Sequence, residues 1–126
     1  MTHTAMISNA LTELETVQGA LEKIAARADE KRRHELIQLR RNLAEQINEM
    51  GKITEPFFAT LADPETSRIY REKFARMRSA TALHQANWPA VRLELSSREH
   101  KQSASAADEA NRDFVGWMRK TLARLP

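Results

Sequence analysis

The 126-residue sequence contains no cysteine, only three glycines and four prolines, and few aromatic residues (6%). Without cysteine the chain can form no disulfide, no thiolate metal site and no cysteine nucleophile. The three glycines are too scattered for a phosphate-binding loop or a nucleophile elbow. No run of apolar residues is long enough to span a membrane, and the amino terminus lacks the basic and apolar segments of a signal peptide. We therefore expect a cytoplasmic protein.

The residues that are abundant favour helices. Alanine, leucine, glutamate and arginine dominate the chain, and all four have high helix propensity. A chain of this length is also large enough to bury one hydrophobic core. The sequence predicts an all-α fold: a single antiparallel helical-bundle domain over residues 1–126, built from three long or four shorter helices.

Two apolar runs with the spacing of a helix face occupy the first part of the chain. The first covers residues 11–28, and Ser8 or Asn9 is the expected N-cap. The second covers residues 36–50, and Gly51 is expected to end its helix. The polar residues between the runs leave two interpretations open. Either the chain turns back there and a monomer is sufficient, or one helix of about 64 Å needs a second chain to cover it, most simply in a two-fold dimer.

A connector is predicted over residues 52–63, where Phe57 and Phe58 would close the end of the bundle. The third helix is predicted to follow at once, because Asp63 is a good N-cap and Pro64 suits the first helical position. Before the last helix the chain is polar again. There the pair Ser105 and Asp108 resembles an acidic variant of a capping box, so the last helix is predicted to begin near Ser105.

The most informative pattern is an apolar seam in the third helix. Its steps alternate four and three, so its members share one helix face. Because the register continues past Pro89, the sequence predicts one helix over about residues 64–98, kinked at that proline. Thr81, His84 and Trp88 are the chemically unusual members and form the candidate functional region. The full seam consists of Tyr70, Phe74, Met77, Thr81, His84, Trp88, Val91 and Leu95.

Two roles are open for His84. It can be a neutral core histidine bonded to Thr81 or to a backbone carbonyl. Alternatively it can transfer phosphoryl groups, since phosphorelay intermediates carry a histidine on a helix of an antiparallel bundle. Those domains place lysine and glycine three and four residues later, where this chain has Asn87 and Trp88. No Glu-x-x-His pair of the kind used by di-metal bundles occurs, so neither a metal site nor a cofactor is predicted.

Charged residues form two stripes with seven-residue repeats. Stripes of opposite charge can fix the pairing of helices within a chain or between two copies, and they can also simply face solvent. The basic stripe is a candidate contact for a partner, and the basic excess of the carboxyl-terminal part allows weak contact with nucleic acid. The basic stripe consists of Arg71, Arg78 and Arg92, and the acidic stripe of Glu15, Glu22 and Asp29.

The function that these observations favour follows by elimination of catalytic motifs. We expect a non-enzymatic protein-binding bundle of the adaptor, secretion-type chaperone or regulatory-subunit kind, with a protein partner or a second copy and no membrane contact. Trp88 could anchor such a partner, since large aromatic side chains dominate interface energetics. The first alternative is a histidine phosphotransfer bundle using His84. A further alternative is a weak nucleic-acid binder acting through the basic carboxyl-terminal part.

Overall fold

The protein is an all-α antiparallel bundle, as predicted, and its described residues form four helices. The computed structural model describes residues 2–24, 31–89 and 98–125, and no strand occurs in these ranges. None of the described helices is both long and apolar enough to cross a membrane. The helices are α1 (His3–Ile24), α2 (Lys31–Ala59), α3 (Pro64–Asn87) and α4 (Arg98–Arg124).

The first two helices lie side by side in opposite directions. At one end the His3 and Phe57 rings are 6.2 Å apart between centroids, and at the other end Ile24 packs with Leu36. One continuous helix would hold His3 and Phe57 about 80 Å apart. The single long helix is therefore excluded, and with it the need for a second chain to cover it. The predicted turn falls partly on residues 25–30, which lie outside the described residues.

Helix α1 begins earlier than predicted. The Thr2 hydroxyl accepts a hydrogen bond from the Ala5 amide at 3.1 Å, so Thr2 fills the N-cap role that was expected at Ser8 or Asn9. This earlier start brings Ile7 into the helix, where its side chain is completely buried. Thr2 therefore caps the helix well before the apolar run that begins at Leu11.

Helix α2 passes through the predicted connector and ends at Ala59. Gly51 does not end it. The role of this glycine is instead in the packing of α2 against α3. A Cβ at Gly51 would lie 3.2 Å from Cζ of Phe74, so its absence leaves room for the Phe74 ring of α3. Pro56 also lies inside the helix, where it removes one backbone donor without ending the helix.

Aromatic residues close this end of the bundle. The Phe58 ring is 1% exposed and stacks in parallel on the Tyr70 ring, with 4.4 Å between centroids. The Thr54 hydroxyl donates to the Met50 carbonyl at 2.7 Å, so the Tyr70 hydroxyl donates in turn to Thr54 at 2.5 Å. Every buried hydroxyl in this group thus has a partner, and the prediction that Phe58 closes the bundle is confirmed.

Helix α3 starts where the sequence predicted. The two carboxylate oxygens of Asp63 accept hydrogen bonds from the Glu65 amide at 3.0 Å and from the Thr66 hydroxyl at 2.8 Å. Pro64 is the first residue of the helix and gives up no needed donor there.

Helix α3 ends at Asn87, so the prediction of a helix kinked at Pro89 is wrong. Trp88 has φ −128° and ψ 70°, outside the helical region. Proline disfavours the helical conformation of the residue before it, and here that preference prevails over the apolar register. The continuation of the seam through Val91 and Leu95 lies outside the described residues.

Helix α4 also begins before its predicted cap. It starts at Arg98, so Ser105 and Asp108 lie inside it. The segment before Ser105 is polar and carries few large apolar residues, yet it contributes to packing: Ser103 lies within hydrogen-bond distance of His84 on α3, and His100 is buried.

All four helices contribute to one main core. The seam is buried at Tyr70, Phe74, Met77 and Thr81, which confirms its inward orientation over this stretch. Backbones approach closely between α1 and α2 and between α3 and α4, whereas the α1–α4 and α2–α3 boundaries are looser. The buried cluster comprises Ile7, Ala10, Leu11, Leu14, Leu43, Ile47, Met50, Phe58, Tyr70, Phe74, Met77, Phe114, Val115 and Met118.

Candidate functional site

A cavity of about 70 Å³ lies inside the bundle, near the end where α3 finishes and α4 begins. It lies beside a small apolar cluster formed by Ile24 and Leu36, against which Trp88 packs. All four helices line it, and seven of the twelve lining side chains are polar or charged. The lining residues are Gln18, Leu21, Glu22, Leu36, Arg40, Leu43, Thr81, His84, His100, Ala104, Ala107 and Asp108.

The three residues singled out from the sequence meet at this cavity. Thr81 and His84 line it, and the Trp88 ring lies edge-on to the His100 ring with 5.5 Å between centroids. His84 does not bond to Thr81 as expected. Its Nδ1 atom lies 2.7 Å from the Ser103 hydroxyl oxygen on α4.

The imidazole of His84 is uncharged at neutral pH. Burial lowers its pKa to about 4, and electrostatic interactions with Arg40 and His100 act in the same direction. The His84 and His100 rings are 5.2 Å apart between centroids. A phosphoryl acceptor needs a solvent-facing nitrogen, and in His84 the ring is half-buried with Nδ1 engaged by Ser103. This geometry does not favour phosphotransfer.

Arg40 is a site residue that the sequence analysis missed. Its guanidinium Nη1 donates to the Trp88 carbonyl at 2.6 Å, and desolvation by burial lowers its pKa. Among the residues that the structure describes, no carboxylate forms an ion pair with Arg40. A signal for it existed in the sequence, because Arg40 stands four residues after Leu36 and three before Leu43 and so shares their inward face.

Asp108 marks the other side of the cavity. Burial raises its pKa to about 6, and the nearby negative charge of Glu22 adds to this effect. The side-chain amide of Gln18, itself 8% exposed, donates a short hydrogen bond to the Asp108 carboxylate. The cavity therefore has a cationic side at Arg40 and an acidic side at Asp108.

A second feature is the boundary between α1 and α4. Glu22 accepts a hydrogen bond from Arg112 at 2.7 Å, and Glu15 accepts one from Nε of Arg119 at 3.1 Å. The acidic stripe of α1 therefore pairs with arginines of α4 that also stand seven residues apart. Asp29, the third predicted member, lies outside the described residues.

In the part of the chain that the structure describes, the basic stripe of α3 does not contact the acidic stripe. Arg71 donates to the Ser67 hydroxyl at 2.9 Å, and the Arg78 guanidinium lies 5.3 Å from the centroid of the Phe74 ring. Arg92 lies outside the described residues. Two members of this candidate contact surface thus make contacts within their own helix.

An open groove runs along the α1–α4 boundary, and we call it the α1–α4 groove. Gly19 of α1 and Gly116 of α4 line its first part, about 420 Å³ in volume. A Cβ added at either glycine would meet no atom within 4 Å. The groove continues past Arg119 into a second part of about 380 Å³, which is lined by Thr4, Ala5, Ser8, Leu122 and Ala123.

Within residues 2–24, 31–89 and 98–125, no group of three or more histidine, aspartate or glutamate side chains is arranged to hold a metal ion. Comparison of the chain with models of protein families, with curated proteins and with solved structures finds no match. Any functional inference therefore depends on the cavity and the α1–α4 groove.

Proposed function

We propose that this chain is a non-enzymatic protein-binding helical bundle, and that the α1–α4 groove is its binding surface. The observation that carries the proposal is the open space above Gly19 and Gly116. Without side chains at these two positions, another helix can come close to the backbones of α1 and α4. Docking of a helix into a groove between two others is a recurring mode of protein recognition.

The occupant that fits the groove best is a second copy of this chain. The α1 side carries Glu15 and Glu22, and the α4 side carries Arg112 and Arg119, each glutamate bound to an arginine across the groove. A two-fold axis parallel to the helices would lay α1 of one copy over α4 of the other. Every glutamate would then face an arginine, whereas an axis across the helices would oppose like charges.

The size of the face suits such a dimer. Helix α1 has 22 residues and is therefore about 33 Å long. Two adjacent helices, each about 10 Å wide, present about 660 Å² per copy. The total of about 1,300 Å² falls within the range of specific protein interfaces, which begins near 1,200 Å².

Substitution of Gly19 tests the proposal without disturbing the monomer. Gly19→Leu places a side chain in open space, so the variant should fold, yet the leucine should block the second copy. Ala75→Leu, at an exposed position of α3, is the matched control. By sedimentation equilibrium, we expect dimers for the wild type and Ala75→Leu and monomers for Gly19→Leu. A monomeric wild type at all concentrations, or a dimeric Gly19→Leu, would overturn the proposal.

The two alternatives stay predictions. Phosphotransfer would require a phosphoryl label to reach His84 and to be absent from His84→Gln. Nucleic-acid binding would depend on the basic stripe of α3, of which Arg71 and Arg78 are exposed. No contact described above favours either function over protein binding.

A further inference from the structure

We propose that the cavity is a binding site for a small carboxylic acid that also carries a hydrogen-bond donor, with its carboxylate on Arg40 and its donor toward Asp108. This inference does not depend on the α1–α4 groove. It rests on three features of the lining: a half-buried cation, neutral hydrogen-bonding groups beside it, and an acidic group on another side.

The guanidinium of Arg40 is the group that selects a carboxylate. Arginine stays charged in proteins, and removing it from water costs free energy unless an anion or hydrogen-bond acceptors compensate. The Trp88 carbonyl accepts one of its five N–H donors. No ion pair to Arg40 comes from the described residues. A carboxylate in the cavity would pair with the guanidinium in the bidentate geometry that arginine favours.

Neutral groups next to Arg40 can complete the binding of a carboxylate. Thr81, a residue that is 7% exposed, offers its hydroxyl, and His84 offers its second ring nitrogen. When the Ser103 hydroxyl donates to Nδ1 of His84, Nε2 of that ring carries the proton and can donate to an anion. His84 can therefore contribute a hydrogen bond without a charge.

The acidic side of the cavity is the reason for expecting a hydrogen-bond donor on the ligand. Glu22 is engaged by Arg112 outside the cavity, and Asp108 accepts a hydrogen bond from Gln18. A carboxylate has lone pairs for further donors, so a hydroxyl or ammonium group of the ligand can bind Asp108 as well. The volume of about 70 Å³ restricts the ligand to a small molecule.

The test is a titration followed by amide chemical shifts in ¹⁵N-labelled protein. Glycolate and glycine are the probes with a hydroxyl and an ammonium group, acetate lacks the donor, and sodium chloride controls for ionic strength. We expect saturable shifts centred on Arg40, Thr81 and His84 with glycolate or glycine, and at least tenfold weaker binding of acetate. The proposal is overturned if none of the probes gives saturable shifts, or if the shifts centre on surface arginines.

Two variants assign the binding to Arg40. Arg40→Met keeps the length of the side chain without its charge, and Arg41→Met removes an exposed neighbouring charge as the matched control. We expect Arg40→Met to weaken binding at least tenfold and Arg41→Met to leave it unchanged. Equal binding by both variants would overturn the proposal. Should Arg40→Met fail to fold, Thr81→Val replaces it as the cavity variant, and weaker binding by severalfold is expected.

Discussion

Burial favours the neutral forms of two titratable residues of the cavity, His84 and Asp108. The pKa of the His84 imidazole is lowered to about 4 from 6.5, and the pKa of the Asp108 carboxyl is raised to about 6 from 3.8. Between these values the folded protein keeps both groups largely neutral, whereas both are charged in the unfolded chain. The two shifts therefore have opposite effects on the pH dependence of stability.

Asp108→Asn should remove the pH-dependent effect of Asp108 on stability. In the wild type, folded Asp108 binds a proton that the unfolded chain releases, so its contribution to stability is lost as pH rises through 6. Asp108→Asn does not lose stability in this way as pH rises. We expect its free energy of unfolding, relative to that of the wild type, to be highest near pH 7 and to decrease as pH falls from 6 to 4. Urea unfolding across this range provides the measurement.

His84→Gln is the mirror-image control. The unfolded chain protonates His84 below pH 6.5 while the folded protein does not, so this residue lowers stability as pH falls toward 4. Removing it should make the unfolding free energy, relative to the wild type, rise over the same interval. A pH-independent difference in both variants would show that the cavity does not control these two groups.

Residues of the site were predictable only where they belong to a strong local pattern. The seam identified Thr81, His84 and Trp88 because they lie on one helix face. Arg40 shares a face with apolar residues of α2, yet nothing in the sequence indicates that this face approaches α3. Asp108 was predicted to belong to a helix cap. Its place in the site could not be predicted, because its hydrogen-bond partner, Gln18, belongs to α1.

At the scale of the helices, periodicity predicted which faces are buried more reliably than where helices begin and end. Gly51 resembled a helix end, but its lack of a side chain serves contact with Phe74. The start of α3 was predictable because its cap, Asp63, acts on residues directly after it. Helix ends that are set by capping residues next to them in the chain can be predicted from the sequence. Helix ends that depend on packing against other helices cannot.

Substitutions of the glycines by alanine test this distinction. Alanine favours a helix over glycine by about 1 kcal/mol, so Gly116→Ala, in open space, should raise the free energy of unfolding by up to about 1 kcal/mol. Gly51→Ala gains the same propensity but forces the buried Phe74 ring to shift, and overpacking a core costs about 1–3 kcal/mol. We expect Gly51→Ala to be destabilised by about 1 kcal/mol in urea unfolding, given these opposing effects. Equal stabilisation of both variants would contradict the packing role of Gly51.

For the whole molecule, composition and apolar spacing were sufficient to predict an all-α antiparallel bundle. The pairing of charged stripes was not predictable. Glu15 and Glu22 repeat every seven residues, but so do arginines on two later helices, and only the tertiary structure shows that Arg112 and Arg119 are their partners. The sequence therefore left open whether the acidic stripe would face solvent or be paired, and which helix would pair with it.

The central claim, that the α1–α4 groove binds a second copy, is tested most directly by the mass of charge variants in solution. The first variant, E15R/E22R, makes both sides of the groove basic. The second, E15R/E22R/R112E/R119E, exchanges the two sides and restores opposite charges both within and between copies. Because exposed ion pairs contribute at most about 1 kcal/mol each, both variants should fold, and circular dichroism checks this. We predict that the wild type and the exchanged variant sediment as dimers and the first variant as a monomer; a monomeric wild type, or an exchanged variant that stays monomeric, would contradict the claim.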